Sequence, residues 1–397
     1  MKRIFSGIAI LIVLIAGGSF AIIYNEAIDA TSQSISPHLQ NESLAEAMSQ
    51  YNDGSFKQVS GPRQFQFPKD HGPHVDYGIE WWYFTGNLKN SYKSHFGYEF
   101  TLFRIGMPKP PNSRETQWQV ENIYMGHIAI TDVDNKEFHS GERFSRDSIG
   151  LAGASSTEPD KFSVWLKDWV ISGTGRDKPE IRLVADHDNI AIDLSLKASK
   201  PLVLQGDNGY SRKGSKESNA SYYYSISRLD TSGTLRIKDK VSIVSGTSWM
   251  DREWSTSALS KNQIGWDWFA LQLNDNHELM YYQMLLSDLS ADHMSEGIII
   301  DPSSETSSLS SDDVEIRNLD YWVSPSGIPY PVQWSMRMPT YSTELTITAL
   351  IPNQEMETSI RYWEGAVHVE GMFLGTTTSG YGYVESTRSP NNNLSLR

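Results

Sequence analysis

The sequence contains no cysteine. That excludes disulfides, thiolate metal sites, a thiol nucleophile and lipid attachment through cysteine, and it leaves the redox compartment open. Positive charge is scarce as well. Lys and Arg number 34 against 48 Asp and Glu, a formal charge of −14, and no basic cluster occurs beyond the N-terminus. Nucleic-acid binding, which rests on neutralising phosphates, is thereby excluded. G-x-S-x-G, H-E-x-x-H, a P-loop and a Rossmann glycine signature are all missing. The common local signatures of hydrolase, metalloprotease and nucleotide sites are therefore absent. A serine triad assembled from distant residues stays open.

Long apolar runs are missing too, with one exception. After Met1-Lys2-Arg3, residues 4–24 carry no charge. At about 1.5 Å each, these residues reach about 31 Å, enough to span a bilayer. A cleaved signal peptide is the alternative, with residues 4–16 as its apolar part and Ser19-Phe20-Ala21 as a small-x-small cleavage site. Ile22 and Ile23 prolong the run and favour a retained anchor. Either reading keeps Lys2 and Arg3 inside and places the body outside the cytoplasm, single-pass anchored or secreted.

What the chain has in abundance is aromatic residues: 12 Trp, 19 Tyr and 14 Phe. Such side chains favour strands and the walls of apolar pockets. From Phe65 onward, short runs such as "HFGYEFTLFRI", "NIAIDLSLKA" and "KVSIVSGTSWM" alternate with Gly, Asn, Asp and Ser. Strict alternation is the mark of a half-buried strand, and no helical period persists beyond about three turns. The reading is an all-β protein of barrels or sandwiches. "EWWYFTGNL" (80–88) echoes "GWDWFALQL" (265–273) at an offset of 185, with Trp81, Phe84 and Leu88 matched by Trp266, Phe269 and Leu273. That echo indicates two similar β-domains, each opening on a Trp-rich strand. The organisation expected is an anchor or signal segment (1–24), a linker (25–55) with a short helix near residues 43–50, and domains over 56–258 and 259–397. "PSSETSSLSSDD" (302–313) reads as a surface loop and "SRKGSKESNA" (211–220) as a mobile basic loop.

"DHGPHVDYGIEWWYFTGNL", "GYEFTLFR", "SYYYSISRL", "SGTSWMDREWS", "GWDWFALQL", "YWEGAVHVEG" and "GYGYVE", in that order, resemble the lipocalin-like family of AttH-type proteins and carotenoid 1,2-hydratases (hydroxyneurosporene synthases). The resemblance runs from about Pro62 to Glu385, with "EWWYFTG" and "WMDREWS" its most specific blocks. It implies two lipocalin-like antiparallel β-barrels packed together. It implies less about activity: some relatives hydrate carotenoid double bonds, fungal relatives act on other apolar metabolites, and most bacterial ones carry only the label of secreted hydrolase. The ending "GYVESTRSPNNN" departs from the family's usual Gly-Tyr pair after "GYVE" and two further residues.

In an extended strand Glu80, Trp82, Phe84 and Leu88 share one face and Trp81, Tyr83 and Thr85 the other. The even face is the more apolar and is expected to line the barrel interior. Glu80 and, in the echo, Asp267 would then point at apolar surroundings, where a carboxylate must be paired or protonated. Arg104 and Arg252 are available partners. In "WMDREWS", Trp249, Asp251, Glu253 and Ser255 share a face. An interdomain seam is a common place for a pocket, but a network of Asp251, Arg252 and Glu253 fixing the domains fits equally. His71 and His74, near Asp70 and Asp76, could order a loop, move a proton or touch a ligand. H-x2-H with no third ligand at a recognisable spacing does not make a metal site.

Asp251, Glu253, Glu80 and His71 are the candidate catalytic residues, and Trp82, Trp249, Trp254, Trp266 and Tyr83 the candidate ligand contacts. Hydrating a C=C bond needs an acid strong enough to protonate carbon, a wall that tolerates the cation, and one water. A carboxyl kept protonated by apolar surroundings supplies the first, and aromatic faces the second at about 0.5–2 kcal/mol each. The same constellation could hold a long apolar ligand without reacting. Three functions stay open: a cofactor-free, metal-free hydratase, lyase or hydrolase on an apolar, unsaturated lipid or isoprenoid-like molecule; a hydrophobic-ligand carrier or chaperone at the envelope; and an envelope component acting through protein contacts.

Overall fold

Runs of alternating aromatic or β-branched and small residues leave this chain little but strands to form. The computed structural model describes residues 54–108, 119–257, 259–260 and 262–388. The expected anchor, most of the linker with its helix, and the C-terminal tail lie outside the described residues. Among those described, the helical elements are three 3-10 turns, Lys69–His71, Ser148–Gly150 and Pro339–Tyr341.

Two antiparallel sheets make up the body. The first holds β1 (Ile79–Asn90), β2 (His95–Gly106), β3 (Asn122–Asp132), β4 (Glu137–Arg146), β5 (Ala152–Ser155), β6 (Lys161–Leu166), β7 (Trp169–Thr174), β8 (Glu180–His187), β9 (Ile190–Ala198), β10 (Val203–Leu204), β11 (Tyr210–Arg212), β12 (Ala220–Ile237) and β13 (Lys240–Ser255). Its strand order is β4-β3-β2-β1-β13-β12-β9-β8-β7-β6-β5, with β10 and β11 added to β12. The sheet curls so that Tyr124, Ile128 and Ile130 of β3 share a core with Phe162 and Val164 of β6. The result is a nearly closed barrel filled by its own side chains, Trp82, Phe84 and Leu88 among them. The second sheet holds β14 (Gln263–Leu273), β15 (Glu278–Leu286), β16 (Glu296–Ile300), β17 (Thr306–Ser310), β18 (Glu315–Val323), β19 (Pro329–Met338), β20 (Thr343–Ala349), β21 (Glu355–Met356), β22 (Tyr362–Phe373) and β23 (Thr376–Ser386). Its order is β17-β16-β15-β14-β23-β22-β20-β19-β18, with β21 on β22. With β17 and β18 as free edges it is a half-barrel, closed over a core that includes Phe269, Leu271, Trp334 and Trp363.

The echo at offset 185 has a structural meaning. In each sheet one face of the Trp-rich strand enters that sheet's own core. The other face, Trp81 and Tyr83 in β1 and Trp266 and Trp268 in β14, enters a shared seam with Trp249, Tyr223, Tyr282 and Tyr383. Burying aromatics at roughly 150–250 Å² each makes this seam a core in its own right. Gly97 permits the approach: a Cβ there would lie 2.6 Å from the Ala366 Cβ. A buried ion triad clamps the sheets, Glu278 of β15 pairing with Lys200 at 2.7 Å and with Arg228 of β12 at 2.5 Å.

Two loop readings are corrected. Within 302–313, Thr306–Ser310 is the edge strand β17, held by pairing with β16 and by buried Leu309. The basic segment 211–220 begins in β11 and turns Lys213 inward, buried, toward the seam.

Candidate functional site

Cross-strand register assembles the site. Trp81 stands opposite Glu253, and Tyr83 opposite Asp251, across β1 and β13. Tyr223 and Ser225 of β12 continue the two rows, and Phe103 and Thr101 of β2 extend them on the other side. On the second sheet, Glu364, Glu385, Trp268 and Tyr282 form one row across β22, β23, β14 and β15. The period of two points every one of these side chains at the seam. Between the rows lies a cavity of about 80 Å³, lined by Trp81, Tyr83, Tyr223, Trp266, Trp268 and Tyr282 and by four charged groups, Lys213, Asp251, Glu253 and Glu385. It has room for a few waters or a small organic fragment, not a whole lipid. A larger groove of about 830 Å³ opens on the outside of the first barrel. Its charges are spent in surface pairs such as Lys161–Glu158 and Lys197–Glu180, so the seam cavity is the candidate site.

Asp251 is buried and accepts hydrogen bonds from the Tyr223 hydroxyl at 2.5 Å, from Trp249 Nε1 at 2.7 Å and from the Ser225 hydroxyl. Burial pushes its carboxyl up to about 7, against the pull of those three donors, and the nearby Glu253 adds to the rise. Glu253 accepts from Ser221 and pairs with Lys213 at 3.1 Å. The Lys213 ammonium also lies 4.0 Å from the centre of the Tyr282 ring. Facing them, Glu385 accepts from Trp266 Nε1 at 2.6 Å. Burial lifts its carboxyl to about 7; bonds to Trp266 and Glu364 oppose the rise, while Asp251 and Glu253 reinforce it. The cavity thus carries two carboxyls that titrate near neutrality, one from each sheet, between aromatic walls. Such groups can give or take a proton at physiological pH. Among the described residues no group of three or more His, Asp or Glu is arranged to hold a metal ion.

The candidate residues divide between this cavity and a second centre. Asp251, Glu253, Tyr83 and Trp266 line the cavity, and Trp249 packs behind it as a donor to Asp251. Glu80, His71, Trp82 and Trp254 are elsewhere. Glu80 sits fully buried between Arg104 and Arg252 and accepts the His74 backbone N–H. Burial works to raise its pKa, but the two guanidiniums and His74 outweigh it and hold the carboxyl well below the usual range. Arg252 stacks 3.9 Å from the Trp82 ring centre and its side chain points away from Asp251 and Glu253, because neighbours on a strand face opposite ways. A network joining Asp251, Arg252 and Glu253 therefore does not form. Trp254 stacks on His74 at 3.6 Å, and Trp82 donates to the His71 carbonyl at 2.8 Å. His71 is buried. Its Nε2–H donates to the Arg176 carbonyl at 2.8 Å, which leaves Nδ1 to accept the Tyr224 hydroxyl at 2.6 Å. Burial lowers its pKa to about 4, so it stays neutral and orders the loop. Asp267 is likewise closed off, bonded to Ser386 at 2.6 Å and Arg388 at 2.8 Å.

The reading from sequence missed Glu385, Glu364, Glu99 and Lys213. Glu385 and Glu364 lie in "GYGYVE" and "YWEGAVHVEG", blocks that carry the family resemblance; an acid inside an alternating Tyr/Gly strand was the available signal. Lys213 was hidden in a polar loop.

Comparison with known proteins supports this architecture. A crystal structure of an AttH protein from Nitrosomonas europaea is 30% identical and superposes with a TM-score of 0.73, covering 84% of this chain and 100% of that one. The crystal structure of kievitone hydratase from Nectria haematococca, 16% identical, has a TM-score of 0.60 over 84% of this chain and 97% of its own, a likeness of fold. The dehydratase asqC of Emericella nidulans is 23% identical over 220 residues, 52% of this chain and 60% of asqC. The AttH-like family model matches residues 58–388. The chain belongs to the AttH-like family.

Proposed function

We propose that the seam cavity is an acid–base site for adding water to, or removing it from, a carbon–carbon double bond in an apolar organic molecule. The observation that carries this is the pairing of Asp251 and Glu385 across one aromatic-walled cavity. In the hydration direction one carboxyl gives its proton to an alkene carbon. Trp81, Trp266, Trp268 and Tyr223 present ring faces to the carbocation, a stabilisation of about 0.5–2 kcal/mol each. Water then bonds to the cationic carbon and its surplus proton passes to the other carboxylate. Dehydration is the same sequence reversed. Neither direction consumes a redox equivalent. The dehydratase and hydratase names of the relatives support the reaction class. The cavity of about 80 Å³ fits the reacting end of a substrate, so a longer unsaturated lipid or isoprenoid-like molecule requires the walls to part.

Mass spectrometry of small molecules co-purifying with the full chain and with its Asp251→Asn variant tests this. The expected result is an unsaturated or hydroxylated apolar compound on the variant, and its partner differing by one water from the unmodified protein. The same unchanged compound from both would favour a hydrophobic-ligand carrier. The charge-free run after Lys2-Arg3 supports an extracytoplasmic body, anchored or exported. Protease digestion of the body in intact cells with a permeabilised outer layer is the matching test, and protection until lysis would count against it.

A further inference from the structure

The second sheet places more carboxyls in the seam than acid–base chemistry at one cavity requires. Glu364 and Glu385 are direct partners across β22 and β23, so their buried carboxyls stand side by side on the face turned to the seam, and each shifts the other's titration. A carboxylate oxygen only accepts, so two such neighbours can bond to each other only through a proton held between them. Tyr83 donates its hydroxyl to Glu364 Oε1 at 2.7 Å. Glu99 of β2, fully buried, takes the Thr101 hydroxyl on Oε1, and neither its Oε2 nor Glu364 Oε2 has a donor. Among the described residues none of Glu99, Glu364 and Glu385 makes an ion pair with Lys, Arg or His. The titratable groups turned toward the pair are Tyr83 from β1, Glu99 from β2, Asp251 and Glu253 from β13, and Tyr362 and Tyr383 from β22 and β23. His127 of β3 is engaged with Tyr362 at 2.7 Å and Glu142 at 3.1 Å, and Lys213 with Glu253. Three carboxyls in a dry seam with no counter-ion cannot all ionise.

We infer that Glu364 and Glu385 share one proton and that Glu385 presents it to the cavity, making Glu385 the acid of the site, with Glu364 and Tyr83 as positioning residues. The assignment rests on the hydro-lyase reading and fixes its roles. In hydration the proton leaves Glu385 for the alkene carbon, and Asp251, as carboxylate, takes the proton that the attacking water sheds. Solvent exchange then moves one proton from Asp251 back to Glu385. Burial raises Glu99 to about 8 and Glu364 well above the carboxylate range, with the charges of the neighbouring acids adding to each, which is consistent with a retained proton.

Infrared spectroscopy of the full chain tests this without a substrate. The unmodified protein should show a protonated-carboxyl C=O band at pH 7. Because one proton serves two groups, Glu364→Gln and Glu385→Gln should each shift this one band in frequency and in the pH at which it is lost, since either amide replaces one of the two carboxyls that hold the proton. Asp251→Asn and Glu99→Gln, measured alongside, identify the bands of those two acids, and circular dichroism confirms that each variant folds. A band that neither Gln substitution moves, or that falls by a separate portion in each, overturns the shared proton. Glu364→Gln should also shift the acid-dependent limb of the turnover pH profile, with KM unchanged, because Glu364 is one of the groups that set the Glu385 pKa. Shared-proton spectra without turnover on unsaturated substrates would retain the pair and reject the hydro-lyase reading. Turnover with spectra indifferent to both substitutions would do the reverse.

Discussion

Asp251→Asn should change the sign of its effect on stability between acid and alkaline pH. The unfolded chain ionises this carboxyl near 3.8, the folded protein near 7. Below pH 4 both states hold the proton and the group contributes no pH dependence. As pH rises from about 4 to about 7 the unfolded state releases its proton first, and the folded state loses about 1.4 kcal/mol per pH unit. Over some three units this comes to roughly 4 kcal/mol, after which the curve flattens because both states are ionised. Asn removes this dependence. Its Oδ1 can keep the Ser225 and Trp249 hydrogen bonds, while its Nδ2 faces the Tyr223 oxygen, which already accepts Trp268 Nε1 at 3.2 Å. Reorienting that hydroxyl costs about 1 kcal/mol. The variant should therefore be less stable than the unmodified protein by about 1 kcal/mol at pH 4 and more stable by roughly 3 kcal/mol at pH 8. Urea unfolding followed by Trp fluorescence at fixed pH reads the difference. A gap that stays constant from pH 4 to pH 8 would refute the claim that burial raises the Asp251 carboxyl.

The other substitutions separate the two polar centres. Glu80→Ala strands Arg104 and Arg252 without their shared carboxylate and should cost about 3–5 kcal/mol, seen as a lower unfolding midpoint, while turnover per folded molecule is unchanged. Lys213→Met leaves Glu253 buried without its cation and should cost about 3 kcal/mol, with ligand affinity altered as well because Lys213 lines the cavity. Leu259 also lines the cavity; Leu259→Ala widens it at a cost of about 2 kcal/mol, and titration with an apolar fluorescent probe should show tighter binding of bulkier ligands.

The alternation in "EWWYFTGNL" was enough to say which face of β1 enters the barrel core, and Trp82, Phe84 and Leu88 are there. It could not say which face lines the candidate site. Trp81 and Tyr83 read as the outer face of a barrel, and only the packing of a second sheet turns that face into an interior. Glu80 could be read as a buried acid in need of Arg104 and Arg252, since those are the partners that strand register supplies. Asp251 and Glu253 stood out by their company of Trp. Glu385 did not, because its properties arise from burial by the opposite sheet and from Trp266, Glu364, Asp251 and Glu253, none of them near it in sequence. Lys213 sits among Ser, Gly and Asn, which mark a loop without revealing that one side chain folds inward.

The most direct test is incubation of the full chain with a panel of unsaturated and hydroxylated apolar substrates in water enriched in oxygen-18, read by mass spectrometry. The account predicts that a substrate gains one labelled water, or loses water and exchanges label on return. Asp251→Asn and Glu385→Gln should each suppress this by about 100-fold or more while still binding the substrate. A protein that binds members of the panel in the seam and incorporates no label would contradict it.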